Sequence, residues 1–259
     1  MARLASLLLA LFASPLWAQA TPDHALASVR DCGLGFRVYE PAPASQDAPT
    51  VIIAHGFLRD GTFMSGWAEA LAQSGLRAVT VDLCASSTAT GTHAENGTDL
   101  VAVRRHLAIR DAIYVGVSAG GLAALVAASQ DREATRGVLL LDPTNAGGYA
   151  RAAARSVNAP VAALVSRPQV CNAWRNIDPA LQMLEDATVI RVDRASHCDF
   201  EWPTDNFCRV MCLERGSGDE RQRSQARIRT IGLAFVEAIA RGDDAALAQW
   251  KADIADRLR

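Results

Sequence analysis

The chain has 259 residues, of which 50% are hydrophobic and 21% are charged, and this length suits one α/β domain with a large core. Its 26 basic and 28 acidic residues give a formal net charge of −2, with the two signs interspersed. This balance gives no indication of a nucleic-acid partner or of an anionic membrane partner, and we expect no nucleic-acid binding.

The first twenty residues have the features of a secretory signal. Arg3 precedes an apolar run over residues 7–12, and residues 18–20 (Ala-Gln-Ala) have the small side chains of a signal-peptidase site. The apolar run is too short to be a stable membrane anchor. We therefore expect cleavage after Ala20, a single domain over residues 21–259, and a secreted or periplasmic location.

Beyond this segment, short apolar runs alternate with runs that have helical composition. Residues 21–35 predict an exposed lead-in, and the charged, glycine-bearing residues 214–223 predict a mobile surface segment. Strands are predicted over residues 36–39, 51–54, 78–83, 112–115, 137–141, 160–165 and 187–192, and helices over residues 67–73, 99–109, 121–128, 226–240 and 244–258. Such alternation predicts an α/β fold, in which a mostly parallel twisted sheet of about eight strands has helices on both faces.

Residues 116–120 (Gly-Val-Ser-Ala-Gly) place a serine between a predicted strand and a predicted helix. A G-x-S-x-G turn in this context is a nucleophile elbow, which exposes the serine on a sharp turn. The flanking glycines allow close backbone approach while the serine is strained. A turn of small residues arising by chance fits the strand and helix context less well. We therefore expect Ser118 to be a nucleophile.

A serine nucleophile needs a base to accept its proton and an acid to orient that base. In elbow-type enzymes the chain order is serine, acid, histidine. Of the five histidines, only His197 follows Ser118, and it comes after a predicted strand. No other histidine is near it in sequence, which weakens a zinc-binding interpretation. We therefore expect His197 to be the base.

Asp142 is the preferred candidate for the acid. It ends the predicted strand over residues 137–141 and is followed by Pro143. An aspartate at the carboxyl end of a parallel strand lies at the crevice where such sheets bind ligands. Residues 166–172, after the next strand, contain no carboxylate. Asp178, further along the chain, is the alternative.

The same pattern predicts an oxyanion hole. One donor would be the backbone N–H of Ala119, directly after the serine, and the other would come from the loop after an earlier strand. The strand over residues 51–54 leads into His55 and Gly56, so the N–H of Phe57 is the expected second donor. His55 precedes the serine, and we expect it to hold this loop and not to act as the base.

All six cysteines follow the expected signal segment, and an even number in an exported protein predicts disulfides. Sequence does not choose among the possible pairings of Cys32, Cys84, Cys171, Cys198, Cys208 and Cys212. Three of them cluster just beyond His197, so we expect at least one bridge to tether that loop. The paired C-x-x-C spacing of structural zinc sites is absent from the sequence, and we expect no metal site.

Together the His55-Gly56 loop, the elbow at residues 116–120, Asp142 and His197 resemble the α/β-hydrolase superfamily in order, spacing and strand context. The resemblance extends from about Phe36 to the C-terminal helix. It implies the α/β-hydrolase fold and a serine hydrolase activity that uses Ser118, His197 and Asp142.

In the superfamily's strand numbering Asp142 follows the sixth strand, and in this respect the chain resembles chlorophyllases, platelet-activating-factor acetylhydrolases and pancreatic-type lipases. Residues 141–143 (Leu-Asp-Pro) and 197–200 (His-Cys-Asp-Phe) are most similar to the chlorophyllase group. Ala119 departs from the arginine that chlorophyllases tend to carry after the serine. The resemblance therefore implies ester hydrolysis and does not imply a chlorophyll substrate.

The expected function is thus a carboxylesterase-like or lipase-like hydrolase with an acyl-enzyme intermediate, acting on a small-molecule or lipid-like ester. Only 17 residues lie between Asp142 and Pro160, too few for a cap domain, so we expect an open cleft. We expect a monomer with no cofactor. A peptidase or amidase using the same triad stays open, as does a non-catalytic binding protein, although the intact triad argues against the latter.

Overall fold

The computed structural model describes residues 24–27, 33–45, 48–86 and 93–257. The expected signal segment and Cys32 lie outside these residues, so cleavage after Ala20 stays a prediction. Eight strands are present in the described part of the chain: β1 (His24–Ala27), β2 (Gly33–Tyr39), β3 (Thr50–Ala54), β4 (Arg77–Asp82), β5 (Ala112–Val117), β6 (Thr135–Leu141), β7 (Val161–Val165) and β8 (Ala187–Arg191).

These strands form one sheet with the order β1-β2-β4-β3-β5-β6-β7-β8. β2 pairs antiparallel with β1 and with β4, and the remaining neighbours are parallel. Every residue of β3, β5 and β7 is buried, as expected for apolar strands covered on both faces. The predicted mostly parallel sheet of about eight strands is therefore confirmed.

Helices cover both faces of the sheet. Their bounds are α1 (Ser65–Gln73), α2 (His93–His106), α3 (Ala119–Gln130), α4 (Ala150–Ala154), α5 (Asp178–Leu181), α6 (Asn206–Met211), α7 (Gly218–Ala240) and α8 (Asp244–Arg257). Residues of α2 to α5 share one apolar core with the sheet, and residues of α1, α7 and α8 share the other. Only the five-residue α4 and short turns separate β6 from β7, so the expectation of no cap domain is also confirmed.

Three predicted segments differ from the structure. The segment expected to be an exposed lead-in, residues 21–35, contains the edge strand β1, which pairs with β2. Backbone pairing at a sheet edge requires little apolar alternation, so the sequence does not indicate this strand. The helix predicted from Asp99 begins at His93. The segment predicted to be mobile contains the start of α7, whose first turn is fixed by a capping box between Ser217 and Glu220.

None of the helices in the described ranges combines the length and the apolar composition that a transmembrane span requires.

Candidate active site

Ser118 lies on the sharp turn between β5 and α3. Its backbone has φ 55° and ψ −121°, a strained conformation for a residue with a side chain. The turn is tight because Gly116 and Gly120 pack directly on each other, and a Cβ on Gly116 would collide with the Gly120 carbonyl. The local geometry of the predicted elbow is therefore present.

The elbow is hydrogen-bonded to the end of β6. The Ser118 N–H donates to the Leu141 carbonyl over 2.9 Å, and the Thr144 N–H donates to the Ser118 carbonyl over 3.1 Å. These two bonds bracket Asp142, which also has a positive φ of 43°. The residues that sequence assigned as nucleophile and acid are thus fixed on neighbouring strand ends.

Asp142 and His197 are directly paired. His197 Nδ1 lies 2.7 Å from Asp142 Oδ2, and the two side chains are 8% and 1% exposed. When Nδ1 donates its proton to the carboxylate, Nε2 is the acceptor of the neutral imidazole. Neither His197 Nε2 nor the Ser118 hydroxyl has a hydrogen-bond partner among the described residues.

The alternative acid, Asp178, does not face His197. Its carboxylate accepts hydrogen bonds from Arg175 at 2.8 and 3.0 Å, at the start of α5. The structure therefore brings His197 together with the preferred acid and leaves Asp178 in a local ion pair.

Sequence reasoning missed the groups that hold Asp142. The Ser166 N–H donates to Asp142 Oδ1 and the Ser166 hydroxyl donates to Oδ2, both over 2.8 Å. The Asn172 amide group, which is fully buried, donates to the Ser166 hydroxyl over 3.0 Å and lies 3.4 Å from both carboxylate oxygens. The position of Ser166, directly after β7 where the sequence has no carboxylate, is the signal that could have identified it.

The surroundings of His197 favour its protonated form. Burial alone lowers the pKa of His197, but the hydrogen bond and charge of Asp142, with further contributions from Glu201 and Glu214, raise that pKa above its ordinary value. The loop itself is fixed by a capping box in which Ser196 and Asp199 exchange hydrogen bonds. Such a site stabilises an imidazolium ion.

The loop after β3 lies against the elbow. A Cβ built on Gly56 would be only 3.4 Å from the Ser118 Cβ. Within the described ranges, the N–H groups of Phe57 and Ala119 donate to no protein acceptor. The two groups predicted to form an oxyanion hole are therefore unpaired donors, one beside Ser118 in the chain and one on a loop packed against it.

His55 has a structural environment, as expected. Its Nε2 accepts a hydrogen bond from the Leu83 N–H over 2.9 Å, and its Nδ1 lies 2.8 Å from the Gly56 carbonyl. Burial lowers the pKa of His55. The neutral ring therefore joins the loop after β3 to the end of β4.

A buried arginine, also missed in the sequence, links this loop to the loop that carries His197. Arg59 Nε donates to Glu201 over 2.9 Å, and its two terminal nitrogens donate to Asp205 over 2.9 and 3.2 Å. The guanidinium lies 4.3 Å from the Phe63 ring centroid and 5.4 Å from that of Phe207. A planar guanidinium that donates from all three of its nitrogens holds the two loops in one relative position.

Two disulfides converge on α6. Cys198, next to His197, bonds Cys208, and Cys171 bonds Cys212. The expected tether of the histidine loop is thus confirmed, and disulfides indicate an oxidising compartment. The sulfurs of Cys198, Cys208 and Cys212 lie close enough together to suit a metal ion, but all three are engaged in these bonds.

Comparison with known proteins agrees with this architecture. A family model described as alpha/beta hydrolase fold matches residues 49–201, which is more than half of the chain. The matched region runs from β3 through the elbow and Asp142 to just beyond His197. The chain therefore belongs to the alpha/beta hydrolase family.

Solved structures with this fold include hydrolases and esterases. A dienelactone hydrolase from Anabaena variabilis is 25% identical with a TM-score of 0.54, over 68% of this chain and 87% of that one. A thermophilic esterase from Thermogutta terrifontis is 14% identical with a TM-score of 0.56, over 83% and 100%. Naproxen esterase from Bacillus subtilis is 16% identical with a TM-score of 0.53, over 76% and 92%. No curated protein matches the chain.

Proposed function

We propose that this protein is a serine hydrolase that cleaves carboxylic esters through an acyl-enzyme intermediate. The observation that carries the proposal is the 2.7 Å contact between His197 Nδ1 and Asp142 Oδ2, beside a strained serine at the end of β5. A buried aspartate that holds the histidine in one tautomer is what a serine nucleophile requires of its base.

In the proposed reaction, the Ser118 hydroxyl attacks the ester carbonyl carbon while His197 Nε2 accepts its proton. The N–H groups of Phe57 and Ala119 donate to the oxyanion, and one such donor is typically worth about 3 kcal/mol in the transition state. The intermediate collapses, and the leaving alcohol takes the proton from His197. Asp142 stays ionised and stabilises the imidazolium ion throughout.

Water then enters the second half of the reaction. His197 removes a proton from a water molecule, the resulting hydroxide attacks the acyl group on Ser118, and the carboxylic acid leaves as the serine recovers its proton. The hydrogen bond between Ser118 and His197 forms in the substrate complex, because catalytic hydrogen bonds are often long or absent before substrate binds.

An ester substrate is favoured over an amide by the similarity to esterases in fold. The short connection between β6 and β7 leaves the site uncapped. A small-molecule or lipid-like ester reaches an uncapped site without a domain movement. We further propose that the chain is exported as a monomer after loss of residues 1–20, which agrees with its disulfides.

The test is active-site labelling followed by turnover. The mature protein, expressed in an oxidising compartment, is incubated with a fluorophosphonate and its intact mass is measured beside that of Ser118→Ala. We expect one adduct on the parent protein and none on the variant. Matched p-nitrophenyl acetate and p-nitroacetanilide then compare ester with amide turnover, and we expect the ester to react far faster.

Three results would contradict the proposal. Equal labelling of Ser118→Ala would place the reactive group elsewhere. No labelling of a folded parent protein, with no turnover of either substrate, would favour a binding protein on a hydrolase fold. A faster reaction with the anilide would replace esterase with amidase activity on the same residues.

A further inference from the structure

Large apolar side chains that are more than a third exposed are unevenly distributed over the described residues. Ten are found, and nine lie on segments that follow the carboxyl ends of β3, β6, β7 and β8. The same edge of the sheet carries Ser118 after β5, Asp142 after β6 and His197 after β8. Scattered exposed apolar residues are normal, but a concentration of them on one face marks a binding surface. The tenth, Val189, lies within β8.

The two most exposed members, Val210 and Leu213, belong to α6 and the residue pair that follows it, together with Phe207 and Met211. Phe207, Val210, Met211 and Leu213 are 52%, 73%, 54% and 72% exposed. Others lie at residues 57–58 after β3, at residue 149 after β6, and at residues 170 and 174 after β7. We refer to these nine residues together as the apolar rim.

A disulfide and a contact between an arginine and an aromatic ring place the main parts of the rim next to one another. The Cys171–Cys212 disulfide joins the segment of Val170 to the end of α6, with a Cα–Cα distance of 5.3 Å. At the other end of α6, the Phe207 ring lies 5.4 Å from the Arg59 guanidinium, in the loop after β3. The rim therefore extends from the predicted oxyanion loop, along α6, to the loop after β7.

The rim is rigid where it is most exposed. A helix of six residues would not be stable alone in water, but α6 is held at four points. Asp205 accepts from the Cys208 N–H over 2.9 Å and from Arg59, and disulfides begin at Cys208 and Cys212. Val210 is consequently held in solvent and cannot turn towards the core.

The charges on this segment do not favour an anionic surface. Asp205 and Glu214 are balanced by Arg209 and Arg215 along the chain. The sequence has a single lysine, Lys251, which lies on α8 and pairs with Asp186. The arginines along α6 and the residues that follow it are matched by carboxylates, so this segment is not a basic cluster of the kind that attracts anionic lipid.

We propose that the apolar rim seats the protein on the surface of an aggregated, uncharged ester, such as a neutral-lipid droplet. This proposal rests on the proposed ester hydrolysis. A surface that surrounds Ser118 and delivers substrate to it is covered, during the reaction, by the substrate aggregate. A lasting protein partner on this face would close the site. The rim thus indicates the physical state of the proposed substrate, an aggregate, as well as its chemical class, an uncharged ester.

Adsorption is measured in the Ser118→Ala background, so that droplets are not consumed. Protein is mixed with emulsified tributyrin, and the fraction that floats with the droplets on centrifugation is determined. The rim variant Val210→Ser/Met211→Gln/Leu213→Ser is compared with Val189→Ser, which removes an equally apolar, 43% exposed side chain from β8. We expect the rim variant to lose about tenfold or more in adsorption, from the apolar area removed, and Val189→Ser to lose nothing.

The same rim substitutions with Ser118 intact show whether the fold is kept. We expect unchanged fluorophosphonate labelling and unchanged hydrolysis of dissolved p-nitrophenyl acetate, with a loss of activity only on the emulsion. Failure of labelling in the parent protein would count against the proposed function, whereas the adsorption result is independent of it.

Four outcomes would overturn the rim proposal. The rim variant could float as well as its parent, or Val189→Ser could lose as much adsorption. Preferential binding to phosphatidylcholine vesicles that contain phosphatidylglycerol, over the droplets, would point to an anionic membrane instead. A dimer in sedimentation that the rim substitutions dissociate, without droplet binding, would assign the face to a second copy of the chain.

Discussion

Arg59 Nε donates a 2.9 Å hydrogen bond to Glu201 Oε1, and this ion pair joins the predicted oxyanion loop to the loop of His197, the proposed base. The two side chains are 5% and 7% exposed, and 142 residues separate them in the chain. Phe57 and His197 are carried on either side of this contact. This buried pair therefore contributes to the relative position of the proposed oxyanion donor and the proposed base.

Replacing Arg59 with methionine would leave Glu201 buried without its partner. Breaking a buried ion pair in this way typically costs about 3–5 kcal/mol, so we expect a loss of that size in urea unfolding and a fall in kcat for p-nitrophenyl acetate. The control is Arg77→Met, which breaks the more exposed Arg77–Glu40 pair and should cost about 1 kcal/mol or less. Equal losses of unfolding free energy in the two variants would show that the Arg59–Glu201 pair is no more stabilising than an exposed ion pair.

The raised pKa of His197 fixes the direction of the pH dependence. The base must be neutral to accept the serine proton, so activity falls as the pH drops through the pKa of His197. Because Asp142, Glu201 and Glu214 raise that pKa despite burial, we expect the acid limb of kcat/KM to have its midpoint above 6.5, the ordinary value for histidine. A midpoint below 6.5 would contradict this assignment.

Glu201→Gln tests the contribution of Glu201 to the raised pKa of His197. The substitution removes one negative charge that favours the imidazolium, so the acid limb should move to lower pH, while Arg59 keeps its two hydrogen bonds to Asp205. A pH–rate series on parent and variant measures the change. A shift to higher pH, or none, would mean that Glu201 does not act on the charge of His197.

Asp142→Asn tests the acid directly. By analogy with triad aspartates, the loss in kcat should be about 10⁴-fold, because the amide stabilises the wrong tautomer and carries no charge. Asp178→Asn serves as the control, since Asp178 is paired with Arg175 and should leave kcat nearly unchanged. If the larger loss belonged to Asp178, the acid would have to be reassigned.

The two disulfides at α6 differ in the length of chain they close. Chain-entropy reasoning gives about 4 kcal/mol for Cys171–Cys212, which are 41 residues apart, and about 3 kcal/mol for Cys198–Cys208, which are 10 residues apart. Paired Cys→Ser replacements avoid leaving an unpaired thiol. Urea unfolding should give the larger loss for the longer loop, and the reverse order would rule out loop closure as the main effect.

Much of the fold could be predicted because its signals are local. Buried parallel strands are continuous apolar runs, and the elbow is five consecutive residues whose glycines leave little choice of conformation. Strand β1 escaped prediction because four residues at a sheet edge carry no apolar period. The start of α7 escaped because its first turns are polar and charged, and a capping box is weaker evidence than an apolar face.

The candidate site was predicted only where chain order constrains it. The order of nucleophile, acid and base along the chain, with their positions at strand ends, predicts Ser118, Asp142 and His197. By contrast, Ser166 and Asn172 contact Asp142 from 24 and 30 residues further along the chain. Nothing in the local sequence of Arg59 indicates that Glu201 lies beside it. Such pairings depend on how loops meet at the sheet edge, which patterns of hydrophobicity do not specify.

The strained backbone of Ser118 has an evolutionary consequence. A positive φ at a residue with a side chain costs on the order of 1–3 kcal/mol, and glycine would relieve it at no steric cost. A lineage that had given up catalysis and kept only a binding role would gain stability by drifting to glycine at this position. A serine at this position therefore destabilises the fold relative to glycine, and a requirement for its side chain, such as the proposed nucleophilic attack, would oppose its replacement.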